Sequence, residues 1–460
     1  MRRLQEENLS SWLQQARRKP LILRGARQVG KSTLVRTFAK DKGLDLAEIN
    51  LERHPRLGPI FQTKDLTKIV PELESLLGRR LQDGKTLLFL DEIQAVPESL
   101  PALRYFFEER PSLPVIAAGS LLEFVLSDHD FSMPVGRVGY LHLGPMTFFE
   151  FLAALREDYL LELLRGYRVG QVFPEMAHQK LLERQRQYLF VGGMPECVLA
   201  FQETGSLEEA RVVHRSIIQT YQDDFAKYSR AGHERGLLHR IIEVIPKLIG
   251  KKTKYVQISR EDHSRTIRAA LQLLIQSRLL TPAYHTDCAV PLRANQDESI
   301  SKLFFVDVGL LNSLCGLDWR SLSRLNEREL IHEGGLAEQF VAQHLAYWEQ
   351  GEEAPHLNYW LRESRSENAE VDFVVARGNR ILPIAIKSGK SGRIRSVQQL
   401  VRSKGFDLVF RFDLNPPSVQ DIHHKLTGPQ ASGPPVRYRL ASFPLYMAEL
   451  ARDLLAQFRF

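Results

Sequence analysis

A partial apolar stripe at Leu4, Leu9, Trp12, Leu13 and Ala16 predicts a helix over residues 4–17. From there to about residue 125, short apolar runs alternate with helical spacing. Strands are predicted at 20–24, 46–51, 86–91 and 114–118, and helices from 31, near 71–80 and over 99–110. Such alternation predicts a parallel sheet with helices on both faces. The run Thr86-Leu87-Leu88-Phe89-Leu90 suits a strand buried on both sides. Residues 148–230 read as mainly helical, broken at Val191-Gly192-Gly193-Met194-Pro195-Glu196. A further helix carries Leu237, Leu238, Ile241, Ile242, Ile245 and Leu248, and another carries Ile267, Leu271, Leu274 and Ile275. Past Glu329, Leu336–Val341 opens an amphipathic helix, and Glu370–Val375 and Ile381–Lys387 read as strands.

The strongest chemistry lies at the first strand-to-helix junction. Gly25-Ala26-Arg27-Gln28-Val29-Gly30-Lys31-Ser32 match G-x-x-x-x-G-K-[ST] at every fixed position, and Thr33 continues the predicted helix. Glycines let a backbone approach a polyphosphate and point N–H groups at it, and the helix N-terminus adds its positive end. Lys31 is placed for the β/γ-phosphates and Ser32 for Mg²⁺. About 60 residues later the buried run ends in Asp91-Glu92. Asp91 would emerge at the strand's C-terminal end to hold Mg²⁺, and Glu92 would polarise the attacking water. The predicted ligands are therefore a nucleoside triphosphate and Mg²⁺. Absence of an N-K-x-D signature tilts the choice from GTP to ATP. Ser120, after the fourth strand, either reaches the γ-phosphate or forms a turn. Arg137 is either an arginine finger, in its own or a neighbouring subunit, or a surface ion-pair partner.

Length 460 suggests about three domains. With 43% hydrophobic and 25% charged residues the composition is that of a globular chain, with no apolar run long enough to span a membrane. The first residues lack the apolar core of a secretory signal. Three scattered cysteines, Cys197, Cys288 and Cys315, fit a reducing cytoplasm. Net charge +7 and a pI near 9.2 permit nucleic-acid contact. Two basic stretches give that a location, 251–268 (with Lys254, Arg260, Arg265 and Arg268) and 377–395 (six basic residues among 373–395 and no acid). The first lies in a winged helix-turn-helix pattern whose wing strands would be Thr281–Tyr284 and Lys302–Val306; it serves either DNA contact or packing. The last region resembles the restriction-endonuclease-like core D-(x)n-[DE]-x-K through Glu338, Asp372 and Lys387. Ala385 stands where the second acid is expected, so cleavage, binding without cleavage and mere packing stay open.

Taken together, Gly25–Ser32, Leu88-Phe89-Leu90-Asp91-Glu92-Ile93-Gln94, Ala118-Gly119-Ser120, Gly192–Glu196, Phe305-Val306-Asp307-Val308-Gly309-Leu310, Glu370–Phe373 and Ile386-Lys387-Ser388-Gly389 resemble bacterial and archaeal AAA-type ATPases joined to a C-terminal domain of unknown function. The resemblance implies an α/β chain. Its expected parts are an AAA-type P-loop core (1–155), a helical lid or linker (156–235), a winged-helix domain (236–328) and a restriction-endonuclease-like domain (329–460). It implies ATP hydrolysis and leaves open a homo-oligomer.

Overall fold

The computed structural model describes residues 1–120, 122, 136–228, 232–316, 335–348, 351, 353–363, 368–387, 395–424 and 436–458. They form two compact units. One comprises Met1–Pro145 with Gln272–Leu279 and Glu349–Pro355; the other comprises Met146–Leu271, Leu280–Trp348 and His356–Phe460.

The first unit is built on β1 (Leu21–Arg24), β2 (Asp45–Asn50), β3 (Thr86–Asp91), β4 (Val115–Gly119) and β5 (Gly139–His142), in the order β2-β3-β4-β1-β5. Every pairing is parallel, as the alternation of strands and helices predicts. β3 and β4 are buried at every position, which is why their sequences are unbroken apolar runs. Helices α1 (Gln5–Leu13), α2 (Lys31–Asp41), α3 (Gly58–Gln62), α4 (Leu66–Leu77) and α5 (Ser99–Glu109) also belong to the unit. Ile22, Ile49, Leu88, Leu90, Leu103 and Phe106 are among its core residues. α4 starts earlier than its apolar spacing suggests, because the Asp65 carboxylate accepts from Thr67 N at 3.0 Å and caps the helix there.

In the second unit, α6 (Phe148–Ala154), α7 (Asp158–Gly166), α8 (Glu175–Val191), α9 (Pro195–Thr204), α10 (Leu207–Tyr228) and α11 (Gly232–Leu248) come first. The helix α12 (Ser264–Gln276), in this unit as far as Leu271, precedes β6 (Leu280–Thr286), β7 (Gln296–Phe305) and α13 (Val308–Leu314). The rest is α14 (Leu336–Leu345), β8 (Leu357–Arg362), β9 (Ala369–Arg377), β10 (Arg380–Ile386), α15 (Arg395–Lys404), β11 (Leu408–Asp413), β12 (Ser418–His424), β13 (Val436–Pro444) and α16 (Ala451–Gln457). One mixed sheet runs β12-β13-β11-β10-β9-β8-β6-β7. The two strands read as a wing are β6 and β7. They pair antiparallel, and β6 also pairs parallel with β8, so they extend the sheet that β8–β13 form.

Two motifs without assigned chemistry meet in this unit. Asp307, fully buried, accepts from Gly193 N at 2.6 Å and from Leu310 N at 3.0 Å, capping α13. A Cβ on Gly192 would lie 2.1 Å from its carboxylate, and one on Gly193 2.1 Å from Met146 O. The Gly-Gly break and the Asp307 segment are thus one packing lock. Cys197 and Cys288 are buried, and burial pushes the Cys288 thiol up to about 12, so neither is a ready nucleophile. Among the described residues no helix is long and apolar enough to cross a membrane.

Candidate active site

The sheet order brings three strand ends to one edge. β1 lies between β4 and β5 and pairs Arg24 with Gly119, while β3 joins β4 one strand further on. Gly25, Asp91-Glu92 and Ser120 leave the sheet at this edge, where open α/β sheets bind ligands.

The loop at 25–32 has the backbone its composition allows. A Cβ at residue 25 would lie 2.1 Å from Leu143 O, so only glycine fits. Gly30 is left-handed (φ 91°) and N-caps α2. Gln28 takes a positive φ of 65° without being glycine, while Val29 is fully buried and pins the loop. Lys31 is 8% exposed, and its ammonium donates to Gly25 O at 3.0 Å and Ala26 O at 2.9 Å. Burial pushes it down to about 8, against the pull of Glu92 and Asp91. Ser32 Oγ donates to Asp91 Oδ2 at 2.8 Å. Burial raises the Asp91 carboxyl above its ordinary range and nearby Glu92 adds to this, while the Ser32 hydrogen bond opposes it.

Ser32 and Asp91 suit Mg²⁺ by their chemistry, a hydroxyl and a carboxylate brought together at a helix N-terminus. Among the described residues no group of three or more His, Cys, Asp or Glu side chains could hold a metal. A cation here would therefore complete its shell with phosphate oxygens and water.

Glu92 has a left-handed backbone (φ 51°, ψ 48°), uncommon for a side-chain-bearing residue. Its carboxylate accepts from Gln94 Nε2. Ser120 follows β4 and is 6% exposed. Arg137 pairs with Glu108 of α5 at 2.8 Å and remains half exposed, so in this conformation it is the surface ion-pair partner. Pattern reading missed two supports here. Arg3 is 7% exposed and donates to Val29 O at 2.8 Å and Gly144 O at 2.7 Å, buttressing the loop from the N-terminus. Gln94 holds Glu92. Nothing in the local spacing marks Arg3, and the Leu88–Gln94 motif includes Gln94 without giving it a role.

The second cluster differs from the D-(x)n-[DE]-x-K pattern. Glu338 (α14), Glu370 and Asp372 (β9) do gather, but around Lys302 of β7. Lys302 is fully buried, pairs with Glu370 and lies 3.6 Å from Glu338. Its ammonium also sits 5.1 Å from the centre of the Tyr359 ring. Burial and the negative Asp372 push Glu338 up to about 7 despite Lys302. Asp372 Oδ2 accepts from Ile386 N at 2.7 Å. No described contact joins the Lys387 side chain to these acids. Ala385 is 3% exposed in an apolar cluster with Val371, Val397, Leu400 and Val409, where a carboxylate would be costly.

Of the basic stretches, Lys251, Lys254, Arg260, Arg265 and Arg268 are exposed, and Lys252 pairs with Glu363 at 2.8 Å. Arg377 and Arg380 donate to Arg452 O and Phe458 O. Residues 388–394 of the second stretch, with Lys390 and Arg393, lie outside the described residues.

Three segments match family models: residues 17–152 an AAA domain, and residues 182–321 and 333–421 two domains of unknown function. No curated protein matches the chain. Among solved structures it is similar to a Walker-type ATPase of Pyrococcus abyssi, at 17% identity over 68% of this chain and 94% of that one, with TM-score 0.43. It is also similar to the ORC2 protein of Aeropyrum pernix, solved with ADPNP and ADP (13%, 68% and 94%, TM-score 0.36). A third is the RuvB Holliday junction branch migration motor of Thermotoga maritima (16%, 61% and 88%, TM-score 0.27). The match over residues 17–152, on the P-loop and parallel sheet described above, identifies that segment as an AAA-type P-loop ATPase domain.

Proposed function

We propose that the first domain binds Mg²⁺–ATP and hydrolyses it, and that its nucleotide state governs what the rest of the chain binds. The observation that carries this reading is the junction of Lys31, Ser32, Asp91 and Glu92 at one strand edge, with Ser32 on Asp91 at 2.8 Å. The loop N–H groups and the α2 N-terminus receive the β- and γ-phosphates. Lys31 exchanges its loop carbonyls for phosphate oxygens. Mg²⁺, when bound, neutralises phosphate charge, and Ser32 and Asp91 would hold it. Glu92 accepts a proton from water as its oxygen bonds to the γ-phosphorus; the β–γ P–O bond breaks, and ADP and phosphate leave. Ser120 lies at the β4 end, where a hydroxyl can contact the γ-phosphate.

Phosphate release by wild type, Lys31→Ala and Glu92→Gln, with parallel binding of a fluorescent ATP analogue, tests this. Glu92→Gln should keep binding and lose turnover by about 10²- to 10⁴-fold. Normal turnover in that variant removes Glu92 from the mechanism, and no binding by wild type ends the reading.

The exposed cations of 251–268 favour a second statement: this surface contacts the phosphates of duplex DNA. Affinity should fall steeply between 50 and 200 mM salt. No binding at low salt would sink it. We read the Glu338–Asp372 cluster as non-cleaving, since a tethered ammonium lies among its acids and position 385 carries no ligand.

A further inference from the structure

We propose that Gln94 is the positioning residue that orients the Glu92 carboxylate, acting from a carboxamide wedged against Gly119. The inference rests on the reading of Glu92 as the group that polarises the attacking water. Glu92 leaves β3 from a left-handed residue, and its side chain has three rotors of its own. Gln94 Nε2 donates to Glu92 Oε2 at 2.5 Å. The amide nitrogen is the group of Gln94 that can donate, and the Glu92 carboxylate oxygen accepts. Gln94 fastens one carboxylate oxygen and leaves the other for water.

The turn that carries the carboxamide is itself fixed. Gln94 lies in the 3-10 turn Ile93–Ala95, closed by Ala95 N on Glu92 O at 2.9 Å and anchored by Ile93, which is fully buried. Its Oε1 lies 2.3 Å from where a Cβ at residue 119 would stand. Glycine at the end of β4 is therefore what admits the carboxamide. Gly119 immediately precedes Ser120, so a ligand that moves the β4 end also moves the group holding Glu92.

The test uses the full chain and three variants: Gln94→Met, which fills similar space without a donor, Glu92→Gln, and the pair combined. Steady-state turnover and equilibrium binding of a fluorescent ATP analogue are both read. Gln94→Met should lower kcat about ten- to a hundredfold, as expected for a lost hydrogen bond to a charged group. KM, analogue affinity and melting temperature should stay close to wild type. Added to Glu92→Gln, it should cost less than about twofold more, since the two act as one unit. Wild-type kcat in Gln94→Met beside an inactive Glu92→Gln overturns the proposal alone. Joint loss of kcat, affinity and thermal stability overturns it too, assigning Gln94 to packing. Full activity in Glu92→Gln overturns instead the reading of Glu92 on which it rests.

Discussion

Replacing Lys302 by Met removes a fully buried ammonium from among Glu338, Glu370 and Asp372 while keeping most of its aliphatic volume. What it leaves behind sets the magnitude. Removing one partner of a buried ion pair costs about 3–5 kcal/mol, because the remaining charge has lost its counter-ion. Glu338 keeps 28% and Glu370 38% of their side-chain exposure, so water repays part, and about 3 kcal/mol at pH 8 is expected. The pH dependence is diagnostic. Glu338 already stands at about 7, above the usual 4.5, and Lys302 is what holds it down. A carboxyl raised on folding gives stability that is lost as pH climbs from its unfolded to its folded value, about 1.36 kcal/mol per unit. Without Lys302 the folded value moves above 7 and the loss continues into alkaline pH. The penalty of Lys302→Met should thus be greatest at pH 8 and shrink towards pH 5, where Glu338 takes up its proton. Urea unfolding of both proteins at pH 5, 6.5 and 8 measures it. An equal penalty at pH 5 and pH 8 would refute the reasoning and make Lys302 a packing residue only.

Two further expectations concern the same unit. Gly193→Ala places a Cβ 2.1 Å from Met146 O and 2.9 Å from Tyr188 Oη, and should destabilise by more than about 3 kcal/mol or prevent soluble expression. Gly166→Ala, with open space around its Cβ, is the control and should be neutral or slightly stabilising by unfolding midpoint. His344 is 8% exposed and must stay neutral, because Nε2 accepts from Phe148 N at 2.9 Å while Nδ1 faces Phe340 O at 2.7 Å. Burial pushes it down to about 4. Its contribution is complete above about pH 6.5 and drains as pH falls to 4, about 3 kcal/mol in all. A midpoint unchanged between pH 6.5 and 4.5, or an equal slope in His344→Gln, would contradict this.

How far these features were legible depends on how far apart in the chain their parts lie. Gly25–Ser32 is contiguous, and its geometry follows from its own residues. β3 and β4 announce themselves because burial on both faces demands apolar side chains at every position. Gln94 stands in the motif Leu88–Gln94, but its role is not legible there, since it depends on Gly119, brought beside it by the pairing of β3 with β4. Lys302 lies further from view. The D-(x)n-[DE]-x-K pattern looks for a lysine on the strand of the second acid, and directs attention to Lys387. The cation among the acids instead comes from β7, separated from β9 in the sheet by β8 and β6. No periodicity in β7 reports that order, because a strand's alternation records which face is buried and not which strands lie beyond its neighbour. A lysine at the head of a buried apolar run is still a signal of a kind. So long a charged side chain within the buried run Lys302-Leu303-Phe304-Phe305 requires a counter-charge beside it in the fold. The acids Glu338 and Glu370 meet that requirement.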